Sequence, residues 1–162
     1  MPQTSSENRQ YIPMAFVENG MIPGQKLYII PDADLYLFGI MTSSVHNAWT
    51  RAVSGRLEMR FSYSIFIVYN NFPWCNPTEA QKAKIEQTAQ AILDARAKYP
   101  DSSLADLYDE TTMPPELRKA HKENDKAVMA AYGFNPKMSE SEIVAQLFKI
   151  YEKMTKQLRQ RK

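Results

Sequence analysis

The periodicity of apolar residues changes near residue 76, and this change constrains the fold more than any other feature of the sequence. Before it, aromatic and β-branched runs are separated by turn residues such as Pro23-Gly24, which is typical of short strands. After it, apolar residues recur every three or four positions, which is typical of helices. The sequence therefore predicts an α+β protein with two domains. Residues 1–75 form a small β-rich domain with one or two helices, and residues 76–162 form an all-helical bundle.

Three runs in the first part have the composition of strands: Lys26–Ile30, Leu35–Phe38 and Tyr63–Tyr69. Between the last two, helical spacing connects four apolar residues: Val45, Ala48, Trp49 and Ala52. This pattern predicts a short amphipathic helix that ends at Gly55, where a glycine cap is favoured. The polar residues between them would share its solvent-facing side: His46, Asn47, Thr50 and Arg51.

Proline, glycine and capping residues divide the second part into helices. Asn76 followed by Pro77 predicts a helix start, and Pro100 predicts its end near Lys98. Asp101 or Ser102 would cap a short helical turn through Leu107. A third helix is expected from Pro114-Pro115 to Gly133. Ser139 and Glu142 form a capping box for the last helix, whose apolar stripe is Ile143, Leu147, Ile150, Tyr151, Met154 and Leu158.

The composition excludes several classes of protein. No apolar run approaches the roughly 18 residues of a membrane span, so we expect a cytoplasmic protein without membrane contact. Cys75 is the only cysteine, and the two histidines have no ligand-spaced partner, so we expect no metal site. The five glycines form neither a phosphate-binding loop nor a dinucleotide fingerprint. We therefore expect no catalytic centre and no cofactor in this chain.

Several longer segments carry a resemblance that extends over nearly the whole chain. They are YLFGIMTSS (Tyr36–Ser44), Gly55-Arg56-Leu57, VYNNFPW (Val68–Trp74), YPDSSLADLY (Tyr99–Tyr108) and MPPELRKAH (Met113–His121). Together they resemble the end of the target recognition domain and the C-terminal helical domain of MmeI-like restriction-modification enzymes. Members of this family combine DNA cleavage with adenine-N6 methylation in a single chain.

The resemblance implies a division of labour. In the family, an endonuclease region and a methyl-donor domain precede these segments, and neither is recognised in this sequence. We therefore expect this chain to be the C-terminal part of a larger adenine-specific DNA methyltransferase, which also cleaves DNA if it retains the endonuclease. S-adenosylmethionine, and Mg²⁺ for cleavage, would be bound by that larger enzyme. The expected partners are double-stranded DNA and the upstream methyltransferase domain.

The resemblance places the sequence-determining residues just after Gly55-Arg56-Leu57. There we expect Glu58 to accept a hydrogen bond from cytosine N4 and Arg60 to donate to guanine O6 and N7, with Ser62 as a further base contact. Phosphate contacts are expected from four residues: Arg51, Arg56, Ser43 and Ser44. The basic C-terminal residues Lys156, Arg159, Arg161 and Lys162 would add nonspecific attraction or suit the helix dipole.

Two alternatives stay open at this point. Glu58 and Arg60 could form a surface ion pair that contributes only about 0 to 1 kcal/mol to stability and reads no base. The chain as a whole could be a helical protein-interaction module that binds a partner helix through Ile143, Leu147, Ile150 and Met154 without contacting DNA.

Overall fold

The computed structural model describes residues 1–17 and 20–160, and it confirms an α+β fold whose second part is helical. The strands are β1 (Thr4–Ser5), β2 (Gly55–Leu57) and β3 (Arg60–Ser62). The helices are α1 (Leu35–Met41), α2 (Ser44–Val53), α3 (Glu79–Ala97), α4 (Leu104–Leu107), α5 (Pro115–Ala131) and α6 (Glu140–Gln160). A π-helical turn, Ile65–Tyr69, follows β3. None of the helices in these ranges is long and apolar enough to span a bilayer.

The three strands form a small antiparallel sheet in the order β1-β3-β2. Strands β2 and β3 make a hairpin in which Leu57 is opposite Arg60 and Arg56 is opposite Phe61. Strand β1 pairs with the other edge of β3, so that Thr4 is opposite Ser62 and Ser5 is opposite Phe61. The sheet thus joins the N-terminus to a hairpin more than fifty residues later in the chain.

The core is one cluster of buried residues to which both parts of the chain contribute. Helices α3 and α5 pack against each other, and α1 lies against both. Helix α2 packs on α6, where Trp49 contacts the rings of Phe148 and Tyr151. The indole Nε1 of Trp49 donates to the main-chain oxygen of Val68 at 3.0 Å, so α2 also holds the π-helical turn.

The strand predictions for the first part were wrong. Leu35–Phe38 begins α1, because the Asp34 side chain caps the helix by accepting from the Leu37 amide at 2.7 Å. Tyr63–Tyr69 leads into the π-helical turn, which Ser64 caps. Within Lys26–Ile30, Leu27 makes an isolated bridge with Pro2 and no regular strand forms. Short apolar runs do not distinguish a strand from a buried helix, and that ambiguity caused these errors.

Helix α2 lies where it was predicted, but the residues on its buried and exposed faces differ from those expected. His46, Asn47 and Thr50 are buried, although they were expected to face solvent, whereas Ala52 of the expected apolar stripe is exposed. Hydrogen bonds to nearby backbone satisfy two of these side chains: the Asn47 amide donates to the main-chain oxygen of Ser43 at 2.9 Å, and the Thr50 hydroxyl donates to that of His46 at 2.9 Å. A polar side chain bonded to nearby backbone can be buried at little cost, so periodicity alone misassigned this face.

The helix ends agree with prediction in part. Gly133 ends the segment after α5 with φ of +69°, and Ser139 with Glu142 forms the predicted capping box of α6. Helix α3 is capped by Thr78 with Gln81 rather than by Asn76, and α4 by Ser103 rather than by Asp101 or Ser102. Gly55 does not cap α2, because the chain is already extended at Ser54 and Gly55 begins β2.

Candidate nucleic-acid interface

The β2–β3 hairpin has the tightest kind of turn, with only Glu58 and Met59 between the paired residues Leu57 and Arg60. Glu58 has a φ of +57°, a left-handed backbone conformation that residues other than glycine adopt rarely. In a two-residue hairpin, positive φ at the first turn position is typical of a type II′ turn, which normally has glycine there. The chain thus keeps a carboxylate at a position where local geometry favours glycine.

The tip of this hairpin projects into solvent. The side chain of Glu58 is 76% exposed and that of Arg60 is 50% exposed. Arg60 Nη2 donates to Glu58 Oε2 at 2.8 Å, so the surface ion pair that the sequence left as an alternative does form in the free chain. Leu57 and Met59 beside them are also exposed. The pair is therefore accessible to a large partner without any rearrangement of the core.

The two faces of the sheet differ sharply in burial. Phe61 and its neighbour Ser5 are buried on the inner face, and the Arg56 guanidinium lies 4.0 Å from the centre of the Phe61 ring. Side chains alternate along a strand, so Arg60 and Ser62 point to the opposite, outer face. Thr4, directly opposite Ser62, shares that outer face. Sequence reasoning missed Thr4, because nothing in the local pattern connects it to a strand 58 positions away.

The hairpin is anchored to the core through the residue that follows β3. Tyr63 is buried, and its hydroxyl lies 3.1 Å from Nε2 of His46 on α2. Burial lowers the pKa of His46 to about 3 and raises the pKa of Tyr63, so both groups are neutral near pH 7. A neutral, hydrogen-bonded anchor holds the base of the hairpin while its tip stays open.

The candidate phosphate contacts lie in very different environments. The Arg56 guanidinium is exposed at the hairpin, where Nη1 also donates to the main-chain oxygen of Met59 at 3.0 Å. Arg51 instead joins parts of the fold: it donates to the main-chain oxygen of Gln10 at 2.7 Å and to Glu140 on α6 at 3.0 Å. Its cationic charge is therefore already engaged within the chain.

Ser43 and Ser44, the other two candidates for phosphate contacts, both make hydrogen bonds within the protein. Ser43 is fully buried, and its hydroxyl donates to the main-chain oxygen of Ile40 at 2.7 Å while capping α2. The Ser44 amide donates to Asp125 Oδ1 at 2.7 Å, which places a carboxylate where a phosphate would have to bind. Ser43 thus caps α2, and the Ser44 amide already has the Asp125 carboxylate as its partner.

The remaining candidates are dispersed. Lys156 is paired with Glu152 at 2.5 Å, Arg159 is exposed in the last turn of α6, and Arg161 and Lys162 lie outside the described residues. In the expected partner-binding stripe of α6, Ile143 and Leu147 are buried against the body, and Met154 is 39% exposed. Among the residues that the structure describes, no group of three or more His, Cys, Asp or Glu side chains is placed to hold a metal ion.

The outer face and the hairpin tip thus offer an acceptor and a donor side by side. A carboxylate accepts from the exocyclic amine of cytosine, and a guanidinium donates two hydrogen bonds to guanine in the major groove. These are the two edges of one base pair. An antiparallel two-stranded ribbon is narrow enough to enter the major groove, which is about 12 Å wide.

Comparison with known proteins gives consistent matches. The family model for the MmeI target recognition domain matches residues 1–76, and that for the MmeI C-terminal domain matches residues 77–159. DNA methyltransferase A of Bacillus subtilis (strain 168) is 40% identical over 155 residues, which are 96% of this chain and 18% of that protein.

A solved structure of the type IIL restriction-modification enzyme MmeI in complex with DNA is also similar. It superposes with a TM-score of 0.93 at 52% sequence identity and covers 96% of this chain. The match covers 21% of that enzyme, so the chain spans about a fifth of the length of each of these relatives.

Proposed function

This chain belongs to the MmeI family, and on that premise we propose that it makes the sequence-specific DNA contacts of an adenine-specific DNA methyltransferase. The observation that supports the proposal is the exposed pair Glu58–Arg60 at the tip of a hairpin within the residues that match the target recognition domain. The related MmeI structure is a complex with DNA, and the B. subtilis relative is a DNA methyltransferase.

Glu58 and Arg60 are proposed to read one C·G base pair from the major groove. The carboxylate accepts from cytosine N4, and the guanidinium donates to guanine O6 and N7. Their mutual hydrogen bond of 2.8 Å holds both groups at the hairpin tip before DNA binds, which lowers the entropy lost on binding. Ser62, two residues further along the outer face, is proposed to contact a neighbouring base pair.

Arg56 is the proposed phosphate contact of the hairpin. It is exposed beside the tip, and its stacking on Phe61 fixes the guanidinium without neutralising it. Arg51 is a weaker candidate, because its guanidinium is already bonded to Glu140 and to main-chain oxygens. Phosphate contacts of this kind orient a protein on the duplex but do not read sequence.

The methyl donor and any catalytic metal are assigned to the rest of the enzyme. The glycines with positive φ, Gly20 and Gly133, do not form a strand-to-helix turn that could hold S-adenosylmethionine. The described residues also lack a cluster of metal ligands. We propose that the sheet and bundle position DNA against a methyltransferase domain, which supplies the chemistry.

Binding of this chain to double-stranded DNA over a range of salt concentrations tests the proposal. A few phosphate contacts should make the association constant fall steeply with salt, with a logarithmic slope of about −0.9 for each contact. Arg56→Gln should reduce the slope by about one contact, whereas Lys98→Gln, an exposed lysine at the end of α3, should not. Absent or salt-independent DNA binding would favour the protein-interaction module instead.

A further inference from the structure

The outer face of the sheet carries one polar residue that no sequence feature connects to DNA. Thr4 of β1 lies directly opposite Ser62 of β3, and Arg60 is two residues before Ser62 on the same face. Directly opposed residues in an antiparallel pair have Cα atoms about 5 Å apart, and residues i and i+2 about 7 Å apart. The three side chains therefore occupy one compact area.

The burial pattern confirms which face Thr4 is on. Its neighbour Ser5 is 5% exposed and lies opposite the buried ring of Phe61. Thr4 and Ser62 are both half-buried. Strand alternation then directs Thr4 away from the core, with Ser62 and Arg60.

The hydroxyl groups on this face are not used inside the protein. Within residues 1–17 and 20–160, neither Oγ1 of Thr4 nor Oγ of Ser62 makes a hydrogen bond to another group. By contrast, the Ser43 hydroxyl donates to the main-chain oxygen of Ile40 at 2.7 Å. Two adjacent hydroxyls are therefore free to bond to an external partner.

We propose that Thr4 is a further specificity-determining residue, which contacts a base pair next to the one contacted by Ser62. This inference rests on the proposed function. A threonine hydroxyl can donate to or accept from a base edge, and its methyl group can pack against the methyl group of thymine. Because Thr4 is placed by β-strand pairing, the DNA contacts come from both ends of the matched region rather than from the hairpin alone.

The test uses a complete enzyme of the family that carries this chain as its recognition segment, and it measures base preference at every position of the methylated site. Thr4→Val keeps the shape and removes the hydroxyl, so preference at one base pair should fall about fivefold or more. That base pair should lie within about two steps of the pair that responds to Glu58 and Arg60. The midpoint of thermal unfolding, which reports on the stability of the fold, should not change.

Ser5→Ala is the matched control, because Ser5 is the adjacent residue on the buried face. It should leave every base preference unchanged. If Thr4→Val also leaves every preference unchanged while variants of Glu58 and Arg60 alter one, the role of Thr4 is wrong and the proposed function stands. If neither set alters any preference, the proposed function itself is wrong.

Discussion

The side-chain amide of Asn124 donates a 2.8 Å hydrogen bond to the main-chain oxygen of Gly39, which ties α5 directly to α1. The carbonyl oxygen of the same amide accepts from Thr88 of α3 at 3.0 Å. A Cβ atom on Gly39 would lie only 2.6 Å from Cγ2 of Ile85. The contact therefore fixes how three helices pack, and it joins residues matched by the two different family models.

Gly39→Ala should destabilise the protein, because the added methyl group would overlap Ile85 and crowd Asn124. Overpacking of this kind costs about 1 to 3 kcal/mol of the free energy of unfolding. Urea unfolding measures the loss. Gly24→Ala is the control, since nothing lies within 4 Å of its added Cβ, and it should change stability very little. An unchanged midpoint for Gly39→Ala would contradict the described packing.

Several helix boundaries of the second part could be predicted from sequence. Pro115, Gly133 and the Ser139–Glu142 box are local signals, and each marks a helix end in the structure. The first part was harder, because its apolar runs are short and buried by distant residues. The Leu35–Phe38 run begins a helix because Asp34 caps it. Asp34 lies outside the run, so the composition of the run alone does not indicate a helix.

Glu58→Gly should stabilise the free chain by about 1 kcal/mol, because glycine adopts positive φ without steric cost. The lost ion pair with Arg60 is exposed and offsets little of this gain. Chemical unfolding of the variant checks the sign. Met59→Gly, at the adjacent turn position without positive φ, should give no such gain. If Glu58→Gly instead lowered the free energy of unfolding, the positive φ of Glu58 would not be a source of strain in the turn.

Acidification should destabilise the chain through two buried histidines. Burial lowers the pKa of both His46 and His121 to about 3, whereas the unfolded chain protonates them near pH 6.5. The unfolded state therefore binds more protons than the folded state as the pH decreases through 6.5. The free energy of unfolding consequently decreases as the pH is lowered. Each histidine should contribute a loss of about 1.4 kcal/mol between pH 7.5 and pH 5.5. Thermal or urea unfolding across this range measures it.

Asp125 acts in the opposite direction, because burial raises the pKa of its carboxyl and the folded chain takes up that proton first. Asp125→Asn removes this opposing effect and keeps an acceptor for the Ser44 amide. The loss of stability on acidification should then be at least as large as in the unmodified chain. Stability independent of pH over this interval would contradict the neutral, buried histidines.

The candidate site was only partly accessible from sequence. The resemblance located Glu58 and Arg60, whose exposure the structure then described. The sequence did not indicate that Ser43 caps α2, because serine is common both at helix N-termini and at phosphate contacts. Thr4 could not be found, because its neighbours on the outer face come from strand pairing across most of the first part.

Replacement of both charges at the hairpin tip tests the central claim most directly. In a complete family enzyme that carries this chain, Glu58→Lys with Arg60→Asp reverses the donor and acceptor groups presented to DNA. The measurement is the sequence around the methylated adenines, compared with that of the unmodified enzyme. We predict a changed base preference at one position, of about 1 to 3 kcal/mol for each contact, and no change elsewhere. An unchanged methylation site in an active, folded double variant would contradict base reading by Glu58 and Arg60.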